Sequence, residues 1–422
     1  MTSYFGEALD YLTAQSFASL LALYWFVFIF EVPRYFLAFL VVILVPREKS
    51  QDERDGKPFP GKVSIIIAGH SEETAIERCV MGLYEQSRIP DEIIVVSDGS
   101  TDKMASKLGD LLRRGLITQA HSTDLRSGKS AGSNMAARWA SGDIVINIDC
   151  DCSFDRDAIL NVIKPFADPE VVAVSGNILV RNERASLVST FQAIEYLVTI
   201  SLGKQAADRL NQVSCVSGAF GAFRNDAYQA VGGLDAGGGE DLDLTLRLRR
   251  NGGRIRFVED AICYTDVPET LNSFVKQRFR WERDAVRLRY RKHRYFLNPF
   301  SPYFSIKELV HELEFLFFNV ISAAMLPFYI LWMFSLYGSF AFVILLSAQL
   351  GLLVLDVATF LMAAYATPKN RSYELIPFLV GYTVFNGVYM RFVRLLAYLQ
   401  EWIFRASYRD TYVPDKVHDV RG

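Results

Sequence analysis

Asp98 closes the apolar run Val95-Val96-Ser97 and is followed by Gly99, Ser100, Thr101 and Asp102. A carboxylate at a strand end, with a glycine and hydroxyls opening a helix, suits hydrogen bonding to a base or ribose, and the helix N-terminus favours an anion. An ordinary capping turn explains the same residues. Gly128-Lys129-Ser130 sets a point charge beside a permissive glycine, a combination suited to a diphosphate. In Asp149-Cys150-Asp151, two carboxylates at a strand end reach one hard cation, as Mg²⁺ or Mn²⁺ bridging a nucleotide diphosphate requires. Many such triplets are merely solvated turns, and Cys150 and Cys152 read as packing residues. Gly237-Gly238-Gly239 lets the backbone approach a substrate and leads into Glu240 and Asp241, of which Asp241 can deprotonate an attacking sugar hydroxyl. Capping of a helix start by acids is the competing explanation. Gln277-Arg278-Phe279-Arg280-Trp281 combines a flat face for a sugar ring with groups for pyrophosphate or ring hydroxyls.

Positioning these groups takes strands and helices in alternation. Val63–Ala68, Glu92–Ser97 and Asp143–Asp149 read as strands, and Ala75–Gln86, Asp102–Arg114 and Ala131–Ala140 as helices. That alternation predicts an α/β domain with parallel strands in a doubly wound sheet, its ligands at the carboxyl ends of the strands. Acidic motifs follow two of those strands directly. Arg283, Arg287, Arg289, Arg291, Lys292 and Arg294 form a basic stretch that reads as an interfacial helix meeting anionic lipid head groups.

The rest of the chain is apolar in blocks. Of 422 residues, 51% are hydrophobic and 13% aromatic, and a mean hydropathy of +0.16 points to membrane segments joined to a soluble part. A net charge of −2 argues against a nucleic-acid partner. Five cysteines without paired spacing exclude a disulfide framework. Phe17–Val45 is one apolar run, broken by Glu31, Pro33 and Arg34; the two charges neutralise each other one turn apart, and Pro33 kinks the helix. Leu313–Tyr337, Ser339–Ala366 and Leu375–Phe404 are three more, whose Glu314, Asp356, Arg391 and Arg394 are expected to face protein or snorkel. Glu7 and Asp10 precede the first run, whereas Arg47, Lys49, Arg54 and Lys57 follow it, which puts the N-terminus outside and the following domain in the cytoplasm. The division is residues 1–45 as a membrane helix, 46–62 as a linker, 63–297 as the catalytic domain with interfacial helices, 298–404 as C-terminal membrane helices and 405–422 as a tail. Three crossings after the domain would leave the basic tail outside, against the same charge rule.

The four motifs, in this order and between membrane runs, resemble a membrane-embedded family 2 glycosyltransferase of the processive polysaccharide synthase type. Cellulose, hyaluronan, chitin-oligosaccharide and poly-N-acetylglucosamine synthases belong to that group. The resemblance implies a GT-A domain inserted between transmembrane helices and a UDP-sugar donor. Asp98 would contact uridine, Lys129 would lie near the nucleotide, and Asp149 and Asp151 would hold Mg²⁺ or Mn²⁺ on the diphosphate. Asp241, beside Glu240, matches the acid of the Thr-Glu-Asp motif and would be the general base. Gln277, Arg280 and Trp281 match Q-x-x-R-W, with Trp281 beneath the acceptor, and Ser217-Gly218 resembles a pair in the acceptor pocket. The usual Pro-x-Tyr/Phe-Asn-Glu start appears as Ala68-Gly69-His70-Ser71-Glu72, so His70 replaces an aromatic on the uracil or is structural, with Glu72 retained. Gly239 stands where Thr is usual, and Glu282-Arg283-Asp284 matches no polymer-specific continuation. Trp402–Pro414, with Arg405, Tyr408 and Arg409, resembles a gating segment in position, which requires an even number of crossings after the domain. The implied activity is processive, inverting extension of a β-linked polysaccharide and its passage across a bacterial inner membrane, with export or accessory subunits as possible partners. The alternative is transfer of one sugar to a lipid or polyprenyl phosphate.

Overall fold

A computed structural model describes residues 2–47, 59–367 and 372–409. Most of the 46–62 linker, with Lys49, Arg54 and Lys57, lies outside the described residues, as do 410–422 of the tail. The apolar runs become the sheet: β1 (Val63–Gly69), β2 (Glu92–Asp98), β3 (Gln119–Thr123), β4 (Ile144–Ile148), β5 (Ser153–Phe154), β6 (Val171–Val180), β7 (Phe220–Arg224) and β8 (Arg254–Thr265). Their spatial order is β3-β2-β1-β4-β7-β6-β8-β5.

In β1, Ile65 and Ile67 pack with Val80, Leu83 and Met104 on one face, while Ile66 packs with Val96, Ala136 and Ala137 on the other. Both faces are covered, so β1 is apolar at successive positions. Each of these isoleucines is fully buried, worth roughly 1.5–3 kcal/mol relative to exposure.

The sheet is mixed, which corrects the expectation of parallel strands throughout. β3, β2, β1 and β4 run parallel, but β7 lies antiparallel to both β4 and β6, and β5 antiparallel to β8. The parallel half aligns the functional strand ends. Gly69 pairs with Ser97 and Ile67 with Ile148, so His70, Asp98 and Asp149 emerge at one edge.

Three helical stretches are long and apolar enough to cross a membrane: Val27–Leu44, Ile306–Ala366 and Ser372–Phe404. The second reverses at Gly338, whose φ is +54°, and Phe334 meets Phe342 across the bend at 4.8 Å. It is therefore two antiparallel helices, Ser322–Tyr337 and Ala341–Ala366. Tyr11 packs on Phe340 at the bend, 5.1 Å away, so the N-terminal segment reaches the end remote from the catalytic domain. The opposite ends lie on that domain: Arg209 donates to the Val45 carbonyl at 2.8 Å, and Gln205 to the Ala366 carbonyl at 3.3 Å.

Ser372–Phe404 behaves differently, since it touches the domain along its whole length. Glu374 pairs with Arg184, Phe385 packs on Phe191 at 5.0 Å and on Phe274 at 5.2 Å, Arg394 and Tyr398 bond Glu282, and Glu401 accepts from Arg291 at 2.5 Å. Its other side exposes Val380, Val384, Leu396 and Ile403. It also packs on the membrane helices, where Arg391 lies over the Phe26 ring at 5.2 Å. The described start of the tail returns to the domain, where Tyr408 lies under Arg287.

Charges in the apolar runs follow packing. Glu31 pairs with Arg391 on the last helix, not with Arg34, and Arg391 also donates to Ser322 at 2.6 Å. Pro33 opens the Val32–Leu44 helix behind a π-helical turn at Val27–Glu31, so it stands where its missing N–H is harmless. Asp356, Arg391 and Arg394 are buried, as expected, whereas Glu314 is exposed. The basic stretch after Trp281 also departs from expectation. Arg287 and Arg289 are buried, and they bond Asp284 and Glu312; Arg291 holds Glu401, and Lys292 holds Asp243. Arg289 and Arg291 thus tie the domain to the C-terminal helices, while Arg287 and Lys292 pair within the domain.

Candidate active site

β2 ends in Asp98, which is buried, and each of its oxygens accepts one backbone N–H, from Ser127 and from Gly128, both at 2.7 Å. The carboxylate thereby shapes the turn that begins the Lys129–Trp139 helix, with Gly128 at φ +93°. His70 bonds the Asp98 carbonyl through Nδ1 at 2.8 Å, which ties the β1 loop to the same corner.

From that helix start, Lys129 reaches Asp149 Oδ1 at 2.5 Å and the Gly218 carbonyl at 3.4 Å. Asn147, one turn of pleat earlier on β4, donates to the same carbonyl at 2.9 Å. The N–H of Gly218 donates to Asp241 Oδ2 at 3.3 Å. Gly218 is thus wedged between the two sides of the site. A Cβ there would sit 3.5 Å from Lys129 Nζ and 3.6 Å from Asp241 Oδ2, filling the gap between cation and carboxylate.

Asp241 lies in the first turn of the Glu240–Arg250 helix, behind Gly239 in the left-handed conformation at φ +67°. Only a glycine adopts that turn without strain, which gives a backbone reason for Gly239. Gly238 is equally constrained, because a Cβ would meet Asp284 Oδ2 at 2.1 Å. Arg287 holds the Gly238 carbonyl at 2.7 Å. In this way the helix carrying Trp281 grips the turn that aims Asp241.

Acids crowd the site. Burial pushes the Glu240 carboxyl up to about 7; Lys129 opposes this, while Asp241 and Asp149 add to it. Burial and then the Asp149 charge raise Asp151. Burial, followed by Asp151 and Asp149, raises Glu72. A divalent cation relieves that repulsion. Asp149 and Asp151, two residues apart just past the end of β4, fit the few-carboxylate coordination of Mg²⁺. Among the described residues no group of three or more His, Cys, Asp or Glu side chains forms a metal cage.

Trp281 is 38% exposed and takes the Arg278 guanidinium over its ring at 4.5 Å. Arg278 is itself buried on Glu195 at 2.6 Å, so it stiffens the aromatic face. Gln277 has a buried Oε1 with no partner, and Arg280 is half-buried on the same helix. The hydrogen bonds through Gly218 join Lys129, Asp149 and Asp241. Ser217 lies next to them, and Trp281 approaches through its helix's hold on Gly238.

Three residues escaped the sequence reading. Asn147 carries a signal in hindsight, a polar residue within the apolar strand Ile144–Ile148. Asp284 sits just beyond the motif that drew attention. Lys204 has none: it donates to Ser217 Oγ at 2.6 Å across thirteen positions, a contact that only folding reveals.

Comparisons agree with this geometry. Residues 60–283 match the family model described as glycosyltransferase like family 2. The chain is 31% identical over 221 residues to a poly-beta-1,6-N-acetyl-D-glucosamine synthase of Staphylococcus aureus (strain COL), covering 52% of this chain and 53% of that protein. It is 27% identical over 255 residues to an N-acetylglucosaminyltransferase of Azorhizobium caulinodans, covering 56% and 62%. The match therefore spans about half the length of these curated relatives. Among solved structures, a mannosyltransferase from Pyrobaculum calidifontis in complex with GDP-Man and Mn²⁺ superposes with a TM-score of 0.60 at 19% identity, over 92% of this chain and 97% of that one. A strand order with an antiparallel β7, acids at the parallel strand ends and the matched 60–283 segment lead to one assignment: the fold is GT-A, and the chain belongs to the family 2 glycosyltransferases.

Proposed function

We propose that this protein is an inverting transferase that extends a β-linked N-acetylglucosamine polymer from UDP-N-acetylglucosamine and passes it across the membrane it spans. The observation that carries the reading is the Gly218 junction, which holds the Lys129–Asp149 pair and Asp241 on either side of one glycine. Lys129 and the turn held by Asp98 would bind the diphosphate and nucleoside, with Glu72 and His70 on the facing loop. Asp149 and Asp151 would hold Mg²⁺ or Mn²⁺, which supplies charge neutralisation for the leaving diphosphate. A hydroxyl of the acceptor attacks the anomeric carbon as the bond to UDP breaks, and its proton passes to Asp241. One displacement inverts the configuration. Trp281, fixed by Arg278 and flanked by Gln277 and Arg280, would stack under the acceptor sugar.

The names of both curated relatives support the sugar. Polymer passage rests on the membrane helices that adjoin the site through Gln205 and Arg209. With the domain (residues 63–297) in the cytoplasm of a bacterial inner membrane, the N-terminus would lie outside. The test is nucleotide release by purified protein in detergent across a panel of UDP-sugars with Mg²⁺ or Mn²⁺, followed by sizing of the product. Release with UDP-N-acetylglucosamine and a long product is expected. A product of one sugar on a lipid would replace this reading with single transfer.

A further inference from the structure

Lys204 belongs to no motif, yet it sits beneath the site. Its ammonium donates to Ser217 Oγ at 2.6 Å and to Ser175 Oγ at 3.0 Å. Among the described residues no carboxylate lies within ion-pair distance of it. Burial lowers its pKa, while the charges of Cys215 and Asp241 pull the other way. A half-buried ammonium that meets two hydroxyls and no carboxylate is costly to keep. Packing would be served as well by methionine.

Counting hydrogens shows what the ammonium does. Ser175 Oγ receives Lys204 and the Ser217 N–H at 3.3 Å, and gives its own proton to the Gly176 carbonyl at 3.1 Å. Ser217 Oγ also receives Lys204, which turns its hydroxyl hydrogen away from the ammonium. No acceptor for that hydrogen exists among the described residues. Ser217 is half-buried and precedes Gly218, whose N–H holds Asp241. Its hydrogen is thus free to donate to an oxygen of a sugar bound beside Asp241. The position of Lys204 is set by the membrane helix. Ser201 bonds Thr367 at 2.9 Å and Gln205 bonds the Ala366 carbonyl, so the turn carrying Lys204 is moored at both sides.

We propose that Lys204 is a positioning residue that fixes the Ser217 hydroxyl as a donor to an oxygen of the acceptor's terminal sugar, setting the attacking hydroxyl beside Asp241. This rests on the transfer reading above. The test compares wild type, Lys204→Met, Lys204→Arg, Ser217→Ala and the Lys204→Met/Ser217→Ala double variant, for kcat, acceptor KM, UDP affinity by calorimetry and melting temperature. Lys204→Met should lose about ten- to a hundredfold in kcat over acceptor KM, the range of one hydrogen bond to a charged group. UDP affinity and melting temperature should hold, Lys204→Arg should recover part of the loss, and the double variant should be no worse than the single one. Wild-type kinetics in Lys204→Met, losses that multiply in the double variant, or a parallel fall in UDP affinity and melting temperature would each overturn the proposal. Should Lys204→Met fail to fold, Ser217→Ala decides alone, because full activity there contradicts the proposed donor. A wild type that transfers nothing would overturn the transfer reading and this one with it; an active wild type with an active Lys204→Met overturns this one only.

Discussion

At the scale of single residues, each functional acid is held by a neighbour that a sequence does not display. Asp98 was legible as a strand-end carboxylate, but its engagement by the Ser127 and Gly128 amides is a property of the loop's path. Asp243, two residues past Asp241, shows how charge is spent on structure. Burial alone would raise its pKa, yet His293 at 2.7 Å, with Arg247 and Lys292, holds the carboxyl well below the usual range. A depressed folded-state pKa contributes stability above the unfolded value of about 3.9, and the contribution is lost as pH falls through the folded value. Replacing Asp243 by Asn should therefore cost roughly 3 kcal/mol at neutral pH, as removing one partner of a buried pair does. The gap to wild type should close as pH drops below about 4. Melting curves at stepped pH check this, and a gap that stays constant would contradict it.

Elements carried most of what could be read in advance. The strands β1, β2 and β4 are continuous apolar runs because both faces are covered, and their boundaries fall within a residue or two of expectation. β3 is Gln119-Ala-His-Ser-Thr at the sheet edge, too polar to stand out. β6, β7 and β8 also alternate with helices, but the reversal at β7 comes from pairing over long sequence separations, which no local pattern displays. The turn Gly237-Gly238-Gly239 was read as room for substrate, and its structural role is the docking of Asp284 and Arg287. Gly238→Ala should accordingly lower both transfer and melting temperature, because the new methyl displaces Asp284 and loosens the start of the Asp241 helix. Gly82→Ala, within the Ile76–Tyr84 helix, is the comparison, since nothing lies within 4 Å of a Cβ there and its φ is not positive. Unchanged transfer in Gly238→Ala would count against the docking role.

Over the whole molecule, hydropathy alone makes Leu375–Phe404 a crossing run. Contacts with Arg184, Phe191, Glu282 and Arg291 along its length lay it on the domain. Two crossings after the domain would bring the charge rule and the basic tail into agreement. In intact cells, a membrane-impermeant maleimide should label Ser339→Cys, at the Gly338 bend, and should spare Tyr373→Cys until the membrane is opened. Labelling of Tyr373→Cys from outside would restore a third crossing. Gln205 and Ser201 grip the end of the Ala341–Ala366 helix, which joins the membrane segment to the domain.

The central claim is that Asp241 takes the acceptor's proton while Lys129 and the Asp149-Cys150-Asp151 triplet hold the donor. UDP binding and UDP release from UDP-N-acetylglucosamine, measured side by side on wild type and Asp241→Asn, test it most directly. The account predicts unchanged UDP affinity with release reduced by about 10²- to 10⁴-fold, the range for loss of a general base. Release at the wild-type rate in Asp241→Asn would contradict it.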